Sequence, residues 1–154
     1  MAGYTAPTLS EQFQQHLATA PVNDLLSHPE IQKEGTVTCR DANGRHARSK
    51  RAYGISKYGN HLRVQAAAQS WGRKGARINS ISPGLVATDM LKQEMEGMLG
   101  PEFRAMVESS AAQRVGTPDD VANAAAFLAS PQASFITGTD LIVDGGMLPA
   151  LRWA

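Results

Sequence analysis

Cysteine is almost absent. Cys39 is the single example in 154 residues, so no internal disulfide can form, and a reducing compartment is the expected setting. No apolar run approaches the roughly 20 residues that a membrane-spanning helix requires. Neither sign of charge prevails, since the formal net charge is +1; that balance excludes a general nucleic-acid or membrane-surface binder. The opening "MAGYTAPTLSEQFQQ" has neither the basic region nor the apolar core of a signal peptide. These absences together predict a soluble, cytoplasmic protein. There is no internal repeat and no low-complexity segment.

What is present is ordinary globular material. Hydrophobic residues make up 42% and charged residues 19% of the chain. Its length suits one domain, which can bury about 68–70% of the unfolded surface. In the first part, Ser10 can cap a helix over "EQFQQHLA" and Pro21 can open a second over "VNDLLSH". "KEGTVTCRDANGRHARSKR" has no period and many charges, and reads as a loop.

From Ala52 the pattern sharpens. A long helix is expected over 53–71, ending near Gly72. Ile55, Tyr58, Leu62 and Ala66 form one apolar stripe, and Val64, Ala67, Ala68 and Trp71 a second, so burial on two sides is expected. "ARINSIS" reads as a strand stopped by Pro83-Gly84. Helices are expected near Asp89, after Pro101, and from Thr117-Pro118, the last with Asp119 and Asp120 at its positive end and Val121, Ala125 and Leu128 facing the core. "TDLIVDGG" reads as a strand ending in a Gly-Gly turn. Strands alternating with helices imply α/β with a parallel sheet. Two strands are too few for such a sheet, so either the first 52 residues hold further strands or the sheet lacks its other half.

Within "YGISKYGN", Tyr53 and Lys57 stand at i and i+4 and share one helix face. A phenol ordinarily titrates near pH ~10, too high for proton exchange at neutrality, and a neighbouring ammonium favours the phenolate. The pair therefore suits general acid–base work, although a core tyrosine beside a surface lysine explains the same letters.

The wider context "YGISKYGNHLRVQAAAQSWGRKGARINSISPGLVATDM", with "RVGTPDDVANAAAFLASPQASFITGTDLIVDGG" after it, resembles the C-terminal half of a short-chain dehydrogenase/reductase over residues 52–146. The resemblance implies the C-terminal part of a Rossmann-like, doubly wound parallel sheet lacking the N-terminal nucleotide-binding half. It implies residues 1–51 as a preceding segment or insertion and 52–154 as the family portion. It further implies an NAD- or NADP-dependent enzyme interconverting a small alcohol and a carbonyl. Tyr53 would be the acid/base, and Lys57 its activator and the holder of the nicotinamide ribose. Pro83 and Gly84 would shape the nicotinamide loop, Val86 would meet the carboxamide through its backbone, and Thr88 would reach the carboxamide or phosphates. Residues from Met90 to about Gln113, amphipathic and rich in methionine, would cover the substrate. A homo-oligomer or a partner subunit of the same family is expected.

Several family features are missing. No glycine-rich turn follows a strand to approach a pyrophosphate, and Gly54 and Gly59 fall inside the expected helix. The residue choosing NAD or NADP and the catalytic asparagine have no counterpart. The catalytic serine would precede Met1 if "MAG" belongs to a Ser-x-Ala-Gly-like segment, with Ser10, Ser27 and Ser49 as substitutes. The roughly fifty residues before Tyr53 would then be an insertion, able to form an extra substrate cover. These missing features suggest a chain started at an internal methionine and weak alone, or a non-catalytic remnant acting through oligomer assembly. Arg40, Arg45, His46, Arg48, Lys50 and Arg51 form a basic run. It has no aromatic residue for base stacking, so a solvated loop and no nucleic-acid partner are expected. His16, His28, His46 and His61 lack metal-ligand spacing.

Overall fold

The computed structural model describes residues 2–5, 8–34 and 47–153. Half of the basic run, Arg40, Arg45 and His46, lies outside them. The chain divides into two compact units, Ala2–Ile78 with Thr137–Thr139, and Asn79–Ile136 with Asp140–Ala154.

The first unit is helical. Helix α1 spans Glu11–Thr19, and Ser10 caps it as expected, its hydroxyl accepting from the Phe13 N–H at 3.2 Å. Val22–Ser27 is a 3₁₀ segment after Pro21, and Pro29–Glu34 is the short helix α2. Helix α3 spans Ala47–Gly72. It therefore begins before Tyr53, and the loop expected through Arg51 gives way to helix from Ala47. The sequence "ARSKRA" has no glycine or proline to break a helix, so charge alone misled the reading.

Leu9, Phe13, Leu17 and Ile55 form the core of this unit, with Ile31, Tyr58 and Leu62 packed against it. Ile55, Tyr58 and Leu62 are three of the four residues of the first apolar stripe; the fourth, Ala66, is exposed. Gly59 faces α1, where a Cβ would make ordinary contact with the Leu17 side chain at 3.8 Å. Arg63 donates to the Leu17 and Ala20 carbonyls at 3.3 and 2.9 Å, closing the C-terminal end of α1. The second stripe is not buried like the first: Val64, Ala67 and Ala68 are half-buried and Trp71 is 46% exposed. Among the described residues α1 and the 3₁₀ segment Ala2–Thr5 pack on α3, while the second stripe meets the turn at Gly138, where a Cβ would lie 2.9 Å from Ala68.

The second unit is α/β. Strand β1 covers Ser80–Pro83 and pairs in parallel with β2, Asp140–Val143, in the register Ser80 to Asp140 through Pro83 to Val143. The strand expected from Ala76 starts four residues later. Before it, the Ile78 carbonyl accepts from Gly138 N–H at 2.7 Å, engaging a loop rather than the ladder. Helices α4 (Asp89–Glu96), α5 (Gly100–Ser109) and α6 (Pro118–Ala129) connect the strands. All three were expected. Helix α6 packs against both strands. Its buried face carries Leu128 and, half-buried, Val121 and Ala124, while Ala125 is exposed; the face is turned by one residue from the expectation. After β2, Gly145 and Gly146 adopt φ of 64° and 79°, a left-handed turn that favours glycine. Helix α7, Met147–Trp153, follows. Asp144 holds this turn, its carboxylate accepting from Gly146 and Leu148 N–H at 2.9 and 2.7 Å. Among the described residues the sheet has these two strands, and those described before Tyr53 add none.

Candidate functional site

Tyr53 and Lys57 lie on α3 on the face turned away from α1. Ile55, one of the residues packed on α1, is 7% exposed, whereas Tyr53 is 56% exposed. Helical geometry separates the two faces, since i and i+2 point in roughly opposite directions while i and i+4 coincide. The Lys57 ammonium reaches 5.3 Å from the Tyr53 ring centroid, within the range of a cation–π contact. The described helices of the N-terminal segment lie behind this pair and do not cover Tyr53. Both side chains are accessible, so a phenol and an ammonium are presented together. Such a pair can pass a proton to an oxygen and hold hydroxyl groups nearby.

Pro83, Gly84, Val86 and Thr88 belong to the other unit. Pro83 ends β1 and Gly84 begins the loop leaving its C-terminal end. Gly84 is pressed against the end of β2: its N–H donates to the Val143 carbonyl at 3.0 Å, and a Cβ there would lie 2.8 Å from the Asp144 Cα. Glycine alone fits without displacing backbone. The loop is then pinned a second time. Val86 forms an isolated parallel bridge with Gly116, in which Gly116 N–H donates to the Leu85 carbonyl and Ala87 N–H to the Gly116 carbonyl, both at 2.8 Å. This bridge uses the groups on either side of Val86. The N–H and C=O of Val86 itself point away from Gly116, as the parallel pattern requires. They offer one donor and one acceptor, the pair that a planar carboxamide can satisfy, so the residues present fit a nicotinamide. Thr88 caps α4, its hydroxyl accepting from the Leu91 N–H at 3.3 Å. That contact uses the oxygen as acceptor and leaves the hydroxyl proton to be donated.

The bridge at Val86 was not legible in the sequence. Arg114, Thr117 and Asp120 stand on either side of Gly116. Arg114 makes two bonds to the Asp120 carboxylate, at 2.7 and 2.9 Å, and Thr117 and Asp120 complete a capping box at the start of α6. The Arg114 guanidinium, aided by the Thr117 N–H, holds the Asp120 carboxyl well below the usual carboxylate range. Only the signal for the helix start, Thr117-Pro118 followed by aspartates, was readable beforehand.

A small parallel sheet, helical connections and a Pro-Gly loop leaving the C-terminal end of a strand define a Rossmann-like α/β protein. Comparison with known proteins narrows this. The family model described as enoyl-(acyl carrier protein) reductase matches residues 29–148. Short-chain dehydrogenase/reductase bsc3 of Alternaria brassicicola is 40% identical over 152 residues, covering 98% of this chain and 52% of that protein. The 7alpha-hydroxysteroid dehydrogenase of Escherichia coli K12 is 36% identical over 133 residues, covering 82% and 50%. A structure from Agrobacterium tumefaciens with bound NADP, assigned as a 2-deoxy-d-gluconate 3-dehydrogenase, is 32% identical, with a TM-score of 0.59 over 64% of this chain and 39% of that one. The chain belongs to the short-chain dehydrogenase/reductase family, an oxidoreductase family with nicotinamide cofactors. It spans about half the length of these relatives or less. The N-terminal segment is matched in the Alternaria protein, since that alignment runs over nearly the whole chain. Among the described residues no helix is long and apolar enough to cross a membrane.

Proposed function

We propose that this chain carries the proton-transfer pair and the nicotinamide loop of an NAD- or NADP-dependent oxidoreductase that interconverts an alcohol and a carbonyl. The observation that carries the reading is the exposed Tyr53–Lys57 pair, with ammonium and ring 5.3 Å apart. A bound nicotinamide supplies or accepts the hydride. In the reducing direction Tyr53 gives its phenolic proton to the carbonyl oxygen as the C–H bond forms, and in the oxidising direction it takes the hydroxyl proton. Lys57 stabilises the phenolate left on Tyr53 and holds ribose hydroxyls. Val86 binds the carboxamide through its own N–H and C=O, and Thr88 donates its hydroxyl proton to the same group or to phosphate. Residues 52–154 are the family portion in this reading, and Met90 to Gln113 form the substrate cover. The decisive experiment compares hydride transfer to a panel of carbonyls by the protein made in its own host with that of its Tyr53→Phe variant.

The sequence holds no glycine-rich turn for the pyrophosphate, so dinucleotide affinity and turnover are expected to be weak for the 154 residues alone. One observation favours a second reading, in which the chain acts through assembly: Trp71 is 46% exposed beside the half-buried Val64, Ala67 and Ala68 on α3. A size measurement after mixing with a full-length homologue separates the two, because only the second requires a stable mixed oligomer.

A further inference from the structure

The segment before α6 is built more elaborately than a helix start needs. The Thr117 hydroxyl already accepts from the Asp120 N–H at 3.3 Å, and Asp120 accepts from the Thr117 N–H at 2.7 Å, which completes the cap. The hydrogen bonds of that cap are complete without Arg114. It grips Asp120 with two nitrogens, at 2.7 and 2.9 Å, and the Val115 carbonyl with one of them at 3.1 Å. Gly116 therefore stands between two neighbours that Arg114 and Asp120 hold, Val115 on one side and Thr117 on the other. Gly116 is also the residue whose N–H and C=O pin the backbone around Val86, at 2.8 Å each. The fit is close: a Cβ on Gly116 would sit 3.3 Å from the Leu85 carbonyl oxygen and 3.7 Å from a Val86 methyl.

We propose that Arg114 and Asp120 are positioning residues for the loop 85–87, acting through Gly116, and that they thereby set its affinity for a nicotinamide ring. This rests on the reading of Val86 given above. The pair touches neither substrate nor cofactor. Its effect travels through one backbone bridge, because Val86 presents a donor and an acceptor in fixed directions only while Leu85 C=O and Ala87 N–H stay bonded. A bidentate guanidinium–carboxylate pair suits such a task, since its planar fork fixes orientation as well as distance.

The test uses the protein made in its own host and two variants of it, Arg114→Gln and Arg114→Lys, with amide hydrogen exchange and NADPH titration as the readouts. Arg114→Gln is expected to lower the protection of the Ala87 and Gly116 amides by about threefold to tenfold and to raise the NADPH dissociation constant by a similar factor. Amides in the middle of α6 keep their protection, and the lysine variant, which retains the charge but not the fork, restores part of both effects. Unchanged protection at Ala87 and Gly116 in Arg114→Gln overturns the proposal. Lost protection with an unchanged dissociation constant overturns it too, since the pair is then only structural. If the parent protein fails to bind NADPH, the nicotinamide reading of the loop falls, and the amide exchange alone decides the bridge.

Discussion

Lys57 stands one helical turn after Tyr53 and places its ammonium 5.3 Å from the centroid of the tyrosine ring, on the face of α3 that α1 does not cover. Backbone geometry sets the pair on one face, and neither side chain belongs to the core of the described residues. Tyr53→Phe is therefore expected to cut hydride transfer by about 10²–10⁴-fold, the usual worth of a positioned acid–base group. Stability should change by no more than about 0.5 kcal/mol, as for other surface substitutions. Cofactor-oxidation rates and urea unfolding of the same preparations check both halves of this expectation.

Gly84 meets Asp144 more closely than any side chain allows. Gly84→Ala would put a Cβ 2.8 Å from the Asp144 Cα, a backbone atom that cannot swing aside. A loss of about 1–3 kcal/mol is expected from this overpacking. Urea unfolding measures it. A matching loss in NADPH affinity should accompany it, because Asp144 and Gly84 together aim the loop.

Phe13 is 1% exposed and anchors the helical unit against α3. Phe13→Ala should cost about 3–5 kcal/mol. Circular dichroism melts will show the loss. The amides around Gly116 belong to the other unit and should keep their exchange rates under conditions where the protein remains folded.

Acid reveals the Asp120 cap. Its carboxyl is held below the ordinary range in the folded chain, first by the Arg114 bond and then by Thr117. The folded state thus binds this proton less readily than the unfolded chain does. The stability so contributed is fully present above the ordinary aspartate value of about 3.9 and drains away as pH falls below it. Stability curves for the parent and Asp120→Asn should run parallel above about pH 5 and converge in stronger acid. A constant difference down to pH ~2 would show that the carboxylate charge contributes nothing.

Local signals made much of the fold readable. Ser10, Thr88 and Thr117 announce helix starts because a hydroxyl or an acidic neighbour can satisfy a free N–H there, and each of α1, α4 and α6 begins where these residues stand. Both strands were visible as short apolar runs closed by Pro-Gly and Gly-Gly. What was hidden depends on contacts distant in sequence. Ile78 looks like strand but bonds to the loop at Gly138. Ala125 and Ala124 are indistinguishable by letter, and only packing against the sheet selects the latter. Of the candidate site, the Tyr53–Lys57 spacing was plain. The bridge from Val86 to Gly116 joins residues 30 apart by backbone atoms only, which no side-chain pattern reports.

The most direct measurement is deuteride transfer from labelled NADPH or NADH to a panel of ketones and aldehydes, followed by mass spectrometry. The protein made in its own host is compared with its Tyr53→Phe variant. Labelled alcohol from the parent, with at least about a hundredfold less from the variant, is the expected result. Equal labelling by both proteins, or none by the parent across the panel, would contradict the assignment of Tyr53 as the proton-transferring group.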